Sequence, residues 1–482
     1  MTDRTSVLIV GAGPAGMAAA AMLRRHDVSV RIVDASPGVA TGSRAIMLWP
    51  PAQAALDSLG LLPDLERQSH RPSALAYHMG ARTLRVKITD GNAPLVIQQQ
   101  RPGELLDAEL ERLGSPVERE VTVVAVTAGE SSVTVETRHA DGTEGKIEAD
   151  WLIGADGVRS TVREQLGIAF EGADDAQRYL LAEGRIDGEI DRDMVHYFLG
   201  PAGVMLFAPL PGGDLRVSTP VEDEATPELL ARMMAERGPA GVRMPEATSL
   251  GTFASSERIA ERLRHGRCFL VGDAAHVHAA IGGQGLGLGL EDARNLTWKL
   301  AGVVNGRLDP AVLDTYEPER RAAIEHIVRV TGRMTKQAVL SPAAVRVRNA
   351  TLRTLHALGV LERVNVPILA GRRVRYPDVL FGGTPAPARG GGRSAPKPGE
   401  RALGQIAADG VTDSFSLVTT GPATGESASA AAERSPLLTH VSLEGDDDSV
   451  LLVRPDGFIA ATGQGTADVT AIESLVTSLA TP

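Results

Sequence analysis

A short apolar segment that runs directly into a glycine-rich turn constrains this chain more than any other feature. Residues Val7 to Val10 suit a strand buried on both faces. They lead into Gly11-Ala12-Gly13-Pro14-Ala15-Gly16 and then into an alanine-rich segment that predicts a helix ending near Arg25. A second apolar run, Val28 to Val33, predicts the next parallel strand and ends at Asp34. This order predicts an α/β domain with a dinucleotide site at its first turn.

Each residue type in this unit has a physical role. Gly11 permits the tight turn, Gly13 lets the backbone approach a pyrophosphate, and Gly16 allows the helix to pack closely on the strand. The helix N-terminus offers unpaired N–H groups to phosphates. Asp34 is placed to accept hydrogen bonds from a ribose hydroxyl. The pattern is compatible with NAD and with the adenosine half of FAD.

Two later segments repeat the arrangement of an apolar strand followed by a glycine and an aspartate. Trp151 to Ile153 lead to Asp156-Gly157, and the strand in residues 267–273 ends at Gly272-Asp273. Taken alone, the first is an ordinary strand-to-helix loop in which Ser160 caps the helix. The stretch that follows the second, 274–290, is rich in glycine and contains two histidines.

These three segments, in this order, resemble the flavin-dependent aromatic hydroxylases, which are single-component FAD monooxygenases with the para-hydroxybenzoate hydroxylase fold. The resemblance covers about residues 6–330 and is looser towards the end. GAGPAG with Asp34 looks like the FAD adenosine site, and GADGVRSTVR looks like the motif associated with both FAD and the nicotinamide cofactor. LVGDAAHVHAAIGGQGLGLGL looks like the family's third FAD motif, which implies that Asp273 hydrogen-bonds the ribityl chain of FAD.

Other segments add to the resemblance, and some depart from it. Ser43-Arg44-Ala45 and Gln100 resemble segments that contact FAD in the family, and Arg44 is the candidate for managing flavin movement. Ala279 and Ala280 stand where the family usually has prolines, and Gly287 stands where it usually has asparagine. The glycines that follow Ala280 would let the backbone lie close to the isoalloxazine ring, beside a helix predicted to begin near Leu286.

The resemblance implies tightly bound, non-covalent FAD. No side chain is assigned to catalysis, which is left to the backbone around Ala280, Gly282 and Gly283. The predicted FAD-binding residues are Gly11, Gly13, Pro14, Ala15, Gly16, Asp34, Ala35, Arg44, Gln100, Asp156, Gly157, Gly272, Asp273, Gly283, Gly285, Leu286 and Gly287.

The implied activity uses NADPH or NADH as a transient reductant and O2 to hydroxylate an aromatic or phenolic substrate through a C4a-hydroperoxyflavin. Polycyclic polyketides are included in that substrate class. Two alternatives stay open: Baeyer–Villiger oxidation or epoxidation within the same family, and a flavin- or ligand-binding protein without turnover. A plain NAD dehydrogenase would leave the second and third motifs unexplained.

Between about 175 and 265 the pattern changes to alternating strands, 194–199, 204–210 and 215–220, separated by Gly/Pro turns. This predicts an antiparallel meander, which forms the floor of the substrate site in the family. Met205, Phe207 and Pro209 alternate on one face, and Val204, Leu206 and Ala208 on the other; either face could be plain core. The candidate substrate residues are His196, Met205, Phe207, Pro209, Arg216 and His278.

The predicted fold class is α/β, with a Rossmann-like FAD-binding domain, an antiparallel-sheet substrate domain and a C-terminal thioredoxin-like domain. The last has no cysteine and therefore no redox role. The predicted FAD-binding domain comprises 1–73, 99–174 and 266–381, including the helical segment 300–370. The predicted substrate domain comprises 74–98 and 175–265. A Gly/Pro-rich linker, 382–401, then leads to the thioredoxin-like domain, 402–482.

Composition narrows the remaining function classes. The net charge is −11 with scattered Lys and Arg, which argues against a nucleic-acid groove. The apolar segment 7–23 is interrupted by glycines and a proline, so we expect no membrane partner and a cytoplasmic protein. His276 and His278 lack further ligands at metal spacing, so no metal is expected. We expect a monomer or a homodimer.

Overall fold

The computed structural model describes residues 3–40, 47–98, 100–278, 282–338, 340, 342–377, 397–402 and 414–480, and the elements and contacts below belong to these residues. The chain divides into two compact units. The first comprises Met1–Ala21, Arg31–Glu291 and His326–Arg372, and the second comprises Met22–Val30, Asp292–Glu325 and Arg373–Pro482. The predicted linker, 382–401, lies mostly outside the described residues.

The fold is mixed α/β, and its strands form three large sheets and one two-stranded sheet within the described ranges. The strands are β1 Asp3–Val10, β2 Val30–Val33, β3 Met47–Leu48, β4 Ala74–Met79, β5 Arg82–Lys87, β6 Leu95–Val96, β7 Val121–Ala128, β8 Val133–His139, β9 Glu144–Gly154, β10 Phe170–Gly184, β11 Met194–Gly200, β12 Gly203–Pro209, β13 Leu215–Val221, β14 Ser249–Ala260, β15 Arg264–His265, β16 Cys268–Leu270, β17 His276–Val277, β18 Phe415–Thr419, β19 Leu438–Ser442, β20 Ser449–Val453 and β21 Ile459–Gln464.

The helices lie between these strands and after the last of them. They are α1 Pro14–Arg25, α2 Pro50–Asp57, α3 Leu62–Arg67, α4 Gln100–Arg112, α5 Thr161–Gln165, α6 Pro227–Arg237, α7 Gly285–Val304, α8 Tyr316–Ala338, α9 Pro342–Ala357, α10 Val366–Leu369, α11 Pro422–Arg434 and α12 Gly465–Thr477. Within the described ranges, each helix is too short or too polar to cross a lipid bilayer.

The seven-stranded sheet has the order β15-β16-β9-β1-β2, with β8 and β7 continuing from β9. The apolar residues of β1 are buried, as the sequence predicts for a central parallel strand. β1 and β16 both run parallel to β9, so Val10 and Leu270 each pair with Gly154. The loops that follow the three strands therefore emerge at one edge of the sheet.

The eight-stranded sheet has the order β17-β14-β10-β13-β12-β11-β4-β5. The three predicted meander strands are confirmed as β11, β12 and β13, and their pairing is antiparallel. β4 from the earlier segment lies parallel to β11. Helix α6 begins after Thr226, whose hydroxyl accepts a hydrogen bond from the Leu229 N–H, and it covers one face of this sheet.

The C-terminal part of the second unit is a β-α-β-β-β-α arrangement. Its sheet has the order β19-β18-β20-β21. β18 and β19 are parallel across α11, whereas β20 and β21 are antiparallel to their neighbours. The described residues of this part contain no cysteine, and Cys268, the one cysteine of the chain, is buried in β16.

Candidate active site

The glycine-rich turn between β1 and α1 is held by close backbone packing. Gly11 has a φ of +104°, and a Cβ there would collide with the carbonyl of Ala155 in the loop after β9. The Gly11 N–H donates to the carbonyl of Val33 at 2.9 Å, which fixes the turn against β2. In contrast, no atom lies within 4 Å of the position a Cβ would take at Gly13. The turn is therefore closely packed at Gly11 and open at Gly13.

Asp34 joins the glycine-rich turn to the loop that follows β2. Its Oδ2 accepts from the Ala12 N–H at 2.6 Å, and its Oδ1 accepts from the Ser36 N–H at 2.7 Å. A carboxylate oxygen can accept more than one hydrogen bond, so these contacts leave room for a ligand hydroxyl. Ala35, the next residue, is exposed. The ribose contact of Asp34 remains a prediction.

The loop after β9 is organised by Asp156, which points towards α5. It accepts from the Ser160 hydroxyl at 2.5 Å and from the Val162 N–H at 3.0 Å. Burial raises the pKa of this carboxyl, although these two hydrogen bonds oppose the shift. Asp156 thus caps a helix, and its neighbours Ala155 and Gly157 are the residues that line the cleft.

The third loop joins β16 to α7 and packs against the first turn of α1. A Cβ at Gly289 would lie 3.2 Å from both the Ala15 Cβ and the Gly272 Cα. The absence of a side chain at this position therefore lets two helices and the loop meet closely. Asp273 is exposed and lines the cleft. The helix predicted to begin near Leu286 begins at Gly285.

The three loops enclose one cleft of about 540 Å³. The N-termini of α1 and α7 both lie on it, and unpaired N–H groups at helix N-termini favour phosphate. The predicted FAD residues that line the cleft are Gly13, Pro14, Ala15, Gly157, Gly272, Asp273, Gly283, Gly285 and Leu286, and Ala40, Phe253 and His278 line it too. The open space over Gly13 and the two helix N-termini fit the diphosphate of a dinucleotide.

Several other predicted cofactor residues lie elsewhere. Gly11 and Gly16 lie where the loops pack together. A Cβ placed at Gly287 would lie 3.4 Å from the Ala52 Cβ. Gln100 is the first residue of α4 and donates from Nε2 to Glu104 Oε1 at 2.7 Å. Arg44, with Ser43 and Ala45, and Ala280 lie outside the described residues, so their predicted roles stay predictions.

A second cavity, of about 290 Å³, opens between the eight-stranded sheet and helices α9 and α10. Its sheet side is lined by Leu75, Tyr77, Val86, Tyr179, Leu181, Tyr197, Leu199, Val204, Leu206, Arg216, Ser218, Pro220 and Phe253. Its other side is lined by Met47, Gly282, Gly283, Val330, Arg333, Arg348, Leu352, Leu361, Asn365, Val366, Ile368 and Leu369. Most of this surface is apolar or aromatic.

Phe253 and Gly283 line both the cleft and the second cavity, so the two spaces meet at these residues. The turn at this boundary is held from both sides. The Trp49 indole Nε1 donates to the Gly282 carbonyl at 2.8 Å, and Gln284 Nε2 donates to the Leu369 carbonyl at 2.5 Å. The sequence alone assigns no role to Trp49 or Gln284, because their hydrogen-bond partners are distant in the chain.

The predicted substrate residues are divided between different places. Arg216 lines the second cavity and is paired with Glu183, whose Oε1 accepts from Arg216 Nε at 3.0 Å. His278 lines the cofactor cleft and not the second cavity. Of the six predicted substrate residues, Arg216 alone lines the second cavity, and its contact with substrate stays a prediction.

Met205 and Phe207 lie on the sheet face opposite the cavity, where they pack against Leu230 and Met233 of α6. Val204 and Leu206 line the cavity instead. The alternation of β12 was correctly read from the sequence, but the face that α6 covers was not predictable from β12 itself. Pro209 shares the alternation of Met205 and does not line the cavity.

His196 also lies on the face away from the cavity, because its neighbour Tyr197 points into it. Its Nε2 donates to the Asp191 carbonyl at 2.6 Å, and its Nδ1 lies 2.9 Å from His78 Nε2. Burial lowers the pKa of both imidazoles, that of His78 to about 4. Both imidazoles hydrogen-bond to protein groups, and neither lines the cavity.

Comparison with known proteins agrees with this site. Residues 4–331 match the profile of the family described as FAD binding domain. The chain is 34% identical to the 6-methylpretetramide 4-monooxygenase of Streptomyces rimosus, over 97% of this chain and 93% of that protein. The structure of the anhydrotetracycline hydroxylase OxyS from Streptomyces rimosus aligns with a TM-score of 0.74 at 27% identity, covering 96% of each chain.

The flavin-dependent monooxygenase PieE, solved in complex with FAD and substrate, shares the fold with a TM-score of 0.79 at 22% identity over 99% of each chain. The fold and cleft define an FAD-binding oxidoreductase. This chain belongs to the FAD binding domain family, and its cofactor is FAD.

Proposed function

We propose that this protein is a monooxygenase that uses FAD, NAD(P)H and O2 to hydroxylate a polycyclic aromatic substrate. The observation that carries the proposal is the meeting of the cofactor cleft and an aromatic-lined cavity at Phe253 and Gly283. A ligand in that cavity would face the cofactor across the boundary that these two residues form. The names of the related proteins, which act on pretetramide and anhydrotetracycline, support a polycyclic substrate class.

When bound and reduced, FAD supplies the reaction with dioxygen, and the protein supplies geometry. The helix N-termini at Pro14 and Gly285 bind and orient the cofactor. Trp49 and Gln284 hold the boundary turn in place. The apolar cavity wall excludes water from the reacting atoms, which protects the oxygenating species from unproductive decay.

The reductant binds transiently in this proposal, because the sequence contains one GxGxxG turn and the cleft holds FAD there. We include in the proposal that the C-terminal part is a thioredoxin-like domain. Its strand order and the helices α11 and α12 support this assignment. Without a cysteine in its sequence the domain has a structural role.

The test combines colour, stimulation and product mass. Purified protein is expected to be yellow and to oxidise NAD(P)H faster when a polycyclic phenol is added. The product should gain one oxygen atom as a hydroxyl. Conversion of a ring carbonyl to an ester would assign Baeyer–Villiger oxidation instead, and FAD-loaded protein that binds ligands without NAD(P)H oxidation would overturn the enzymatic proposal.

A further inference from the structure

The floor of the second cavity carries hydroxyl groups in one row that crosses the sheet. Tyr77 on β4 pairs with Tyr197 on β11, Tyr197 pairs with Leu206 on β12, and Leu206 pairs with Ser218 on β13. All four residues line the cavity. Because paired residues on neighbouring strands point to the same face, their side chains stand side by side.

The hydroxyls of this row make no hydrogen bond to any other residue in the described part of the chain. This holds for Tyr77, Tyr197 and Ser218, although Tyr197 is only 8% exposed. The hydroxyl oxygens of Tyr77 and Tyr197 are not enclosed by protein atoms, and tyrosine hydroxyls in largely apolar surroundings normally find a hydrogen-bond partner. A ligand in the cavity is the partner that the position of these groups allows.

The two tyrosines are suited to donate rather than to ionise. Burial raises the pKa of Tyr197 to about 12 and that of Tyr77 still further, where the neighbouring Tyr197 contributes. Their rings are stacked with centroids 5.3 Å apart and planes at 17°. Both hydroxyls are therefore neutral donors, and both belong to residues that line the cavity from the same face of the sheet.

The spacing of the row follows from the sheet. Neighbouring strands are about 4.8 Å apart, so the Tyr197 and Ser218 positions are separated by roughly 10 Å. A second row, formed by Leu199, Val204, Pro220, Tyr179 and Phe253, is apolar or aromatic apart from one hydroxyl, and it ends at the cofactor boundary. The floor thus has a row of donors next to an apolar row.

We infer that Tyr77, Tyr197 and Ser218 determine specificity by donating hydrogen bonds to several oxygen atoms along one edge of a fused-ring substrate. The substrate then lies with its long axis across the strands and its oxygen-bearing edge on the hydroxyl row. The inference rests on the proposed function for the identity of the cavity as the substrate site. It narrows the substrate class to elongated aromatic compounds that carry oxygen substituents on alternate carbon atoms along one edge.

The test measures binding by calorimetry with the FAD-loaded full chain. The probes are a dihydroxyanthraquinone with its two hydroxyls meta to each other and the monohydroxy analogue that lacks one of them. The variants are Tyr77→Phe, Tyr197→Phe and Ser218→Ala, which remove only a hydroxyl, and Leu206→Met serves as the matched change in the same row. Wild type should prefer the dihydroxy probe, and a Tyr→Phe change should weaken its binding roughly threefold to tenfold.

The monohydroxy analogue provides the internal control. Its affinity should change less than twofold in at least one Tyr→Phe variant, and Leu206→Met should affect both probes equally. Equal affinity of wild type for the two probes, or equal losses for both probes in every variant, would overturn the inference. Binding is measured without turnover, so the two proposals fail separately. If the protein discriminates between the probes but never hydroxylates them, the inference about the hydroxyl row stands and the proposed activity is wrong.

Discussion

Arg163 donates a hydrogen bond from Nη1 to the backbone carbonyl of Ala274 at 3.0 Å. Its Nη2 donates to the carbonyl of Val158 at 3.0 Å, and its guanidinium lies 4.0 Å from the centroid of the Phe170 ring. This one buried side chain therefore joins the loop after β9 to the loop after β16. Both loops line the cofactor cleft.

Replacing this arginine should weaken FAD binding. In Arg163→Gln the shorter side chain cannot reach both loops, and two backbone carbonyls lose a charged donor; such a hydrogen bond contributes about 1.5–3 kcal/mol where it is buried. We expect FAD to bind at least tenfold more weakly in a fluorescence titration of the apoprotein. Arg159→Gln, at a nearby exposed arginine, is the control and should bind FAD like wild type. Equal affinity in both variants would show that Arg163 does not hold the cleft.

Two glycines of the first turn should respond differently to the same substitution. Gly11→Ala adds a Cβ at positive φ against the Ala155 carbonyl, so we expect a loss of about 3 kcal/mol in the free energy of unfolding. Gly13→Ala points into open space and should leave the apoprotein stable while weakening FAD binding. Thermal unfolding of the apoproteins and FAD titration separate the two effects. Loss of stability in Gly13→Ala would contradict the assignment of that space to the cofactor.

The local elements of this site were largely predictable from the sequence. Val7 to Val10 became part of β1, and the glycine turn between β1 and α1 lies on the cleft. Short apolar runs bounded by glycine report local structure well, because backbone geometry and burial act on neighbouring residues. The helix near Leu286 and the three meander strands were predictable for the same reason, and the structure confirms them.

Long-range features could not be read in this way. The orientation of Met205 depends on α6, which packs on one face of β12, and alternation alone leaves the two faces equivalent. Asp156 belongs to a motif that resembles a cofactor segment, yet its carboxylate caps α5. The pairing of Trp49 with Gly282 joins residues far apart in the chain, and it carries no local sequence signal.

The second unit contains a buried ion network that should govern its stability. Glu319 accepts from Lys299 at 2.7 Å and from two nitrogens of Arg454 at 2.6 and 2.8 Å. Asn295 also donates to Glu319, at 2.8 Å, and Glu319 has no exposed surface. Replacing Glu319 with Gln leaves buried cations without their shared charge, so we expect about 3 kcal/mol of destabilisation at pH 7 in urea unfolding.

This effect should depend on pH with a defined sign. Burial would raise the pKa of Glu319, but the charges of Arg454 and Lys299 outweigh it and lower the pKa to about 2. Stabilisation by the carboxylate is therefore complete above the ordinary pKa and is lost as the pH falls towards 2, so the variant should approach wild type there. The control is Glu473→Gln in the surface pair with Arg434, where we expect a change below about 0.5 kcal/mol.

Cys268 should be unreactive in the folded protein. It is buried in β16, and burial raises its pKa to about 12, so the thiol stays protonated at neutral and mildly alkaline pH. A disulfide reagent should modify it only after unfolding, and the absorbance change should then report one thiol per chain. Rapid modification of the native protein at pH 8 would contradict this burial.

Phe253 should control how tightly NAD(P)H oxidation is coupled to hydroxylation. It stacks on Tyr179 with centroids 5.4 Å apart and lines both the cofactor cleft and the second cavity. In the proposed reaction, Phe253→Ala removes part of the wall between the two spaces and admits water to the reacting atoms. We expect NAD(P)H oxidation to continue while product per NAD(P)H falls at least threefold and hydrogen peroxide rises by the missing amount. The control is Leu352→Ala, which shortens a side chain that lines the second cavity and not the cleft. It should weaken substrate binding with little change in product per NAD(P)H. Equal uncoupling in both variants would show that the boundary position of Phe253 has no special effect.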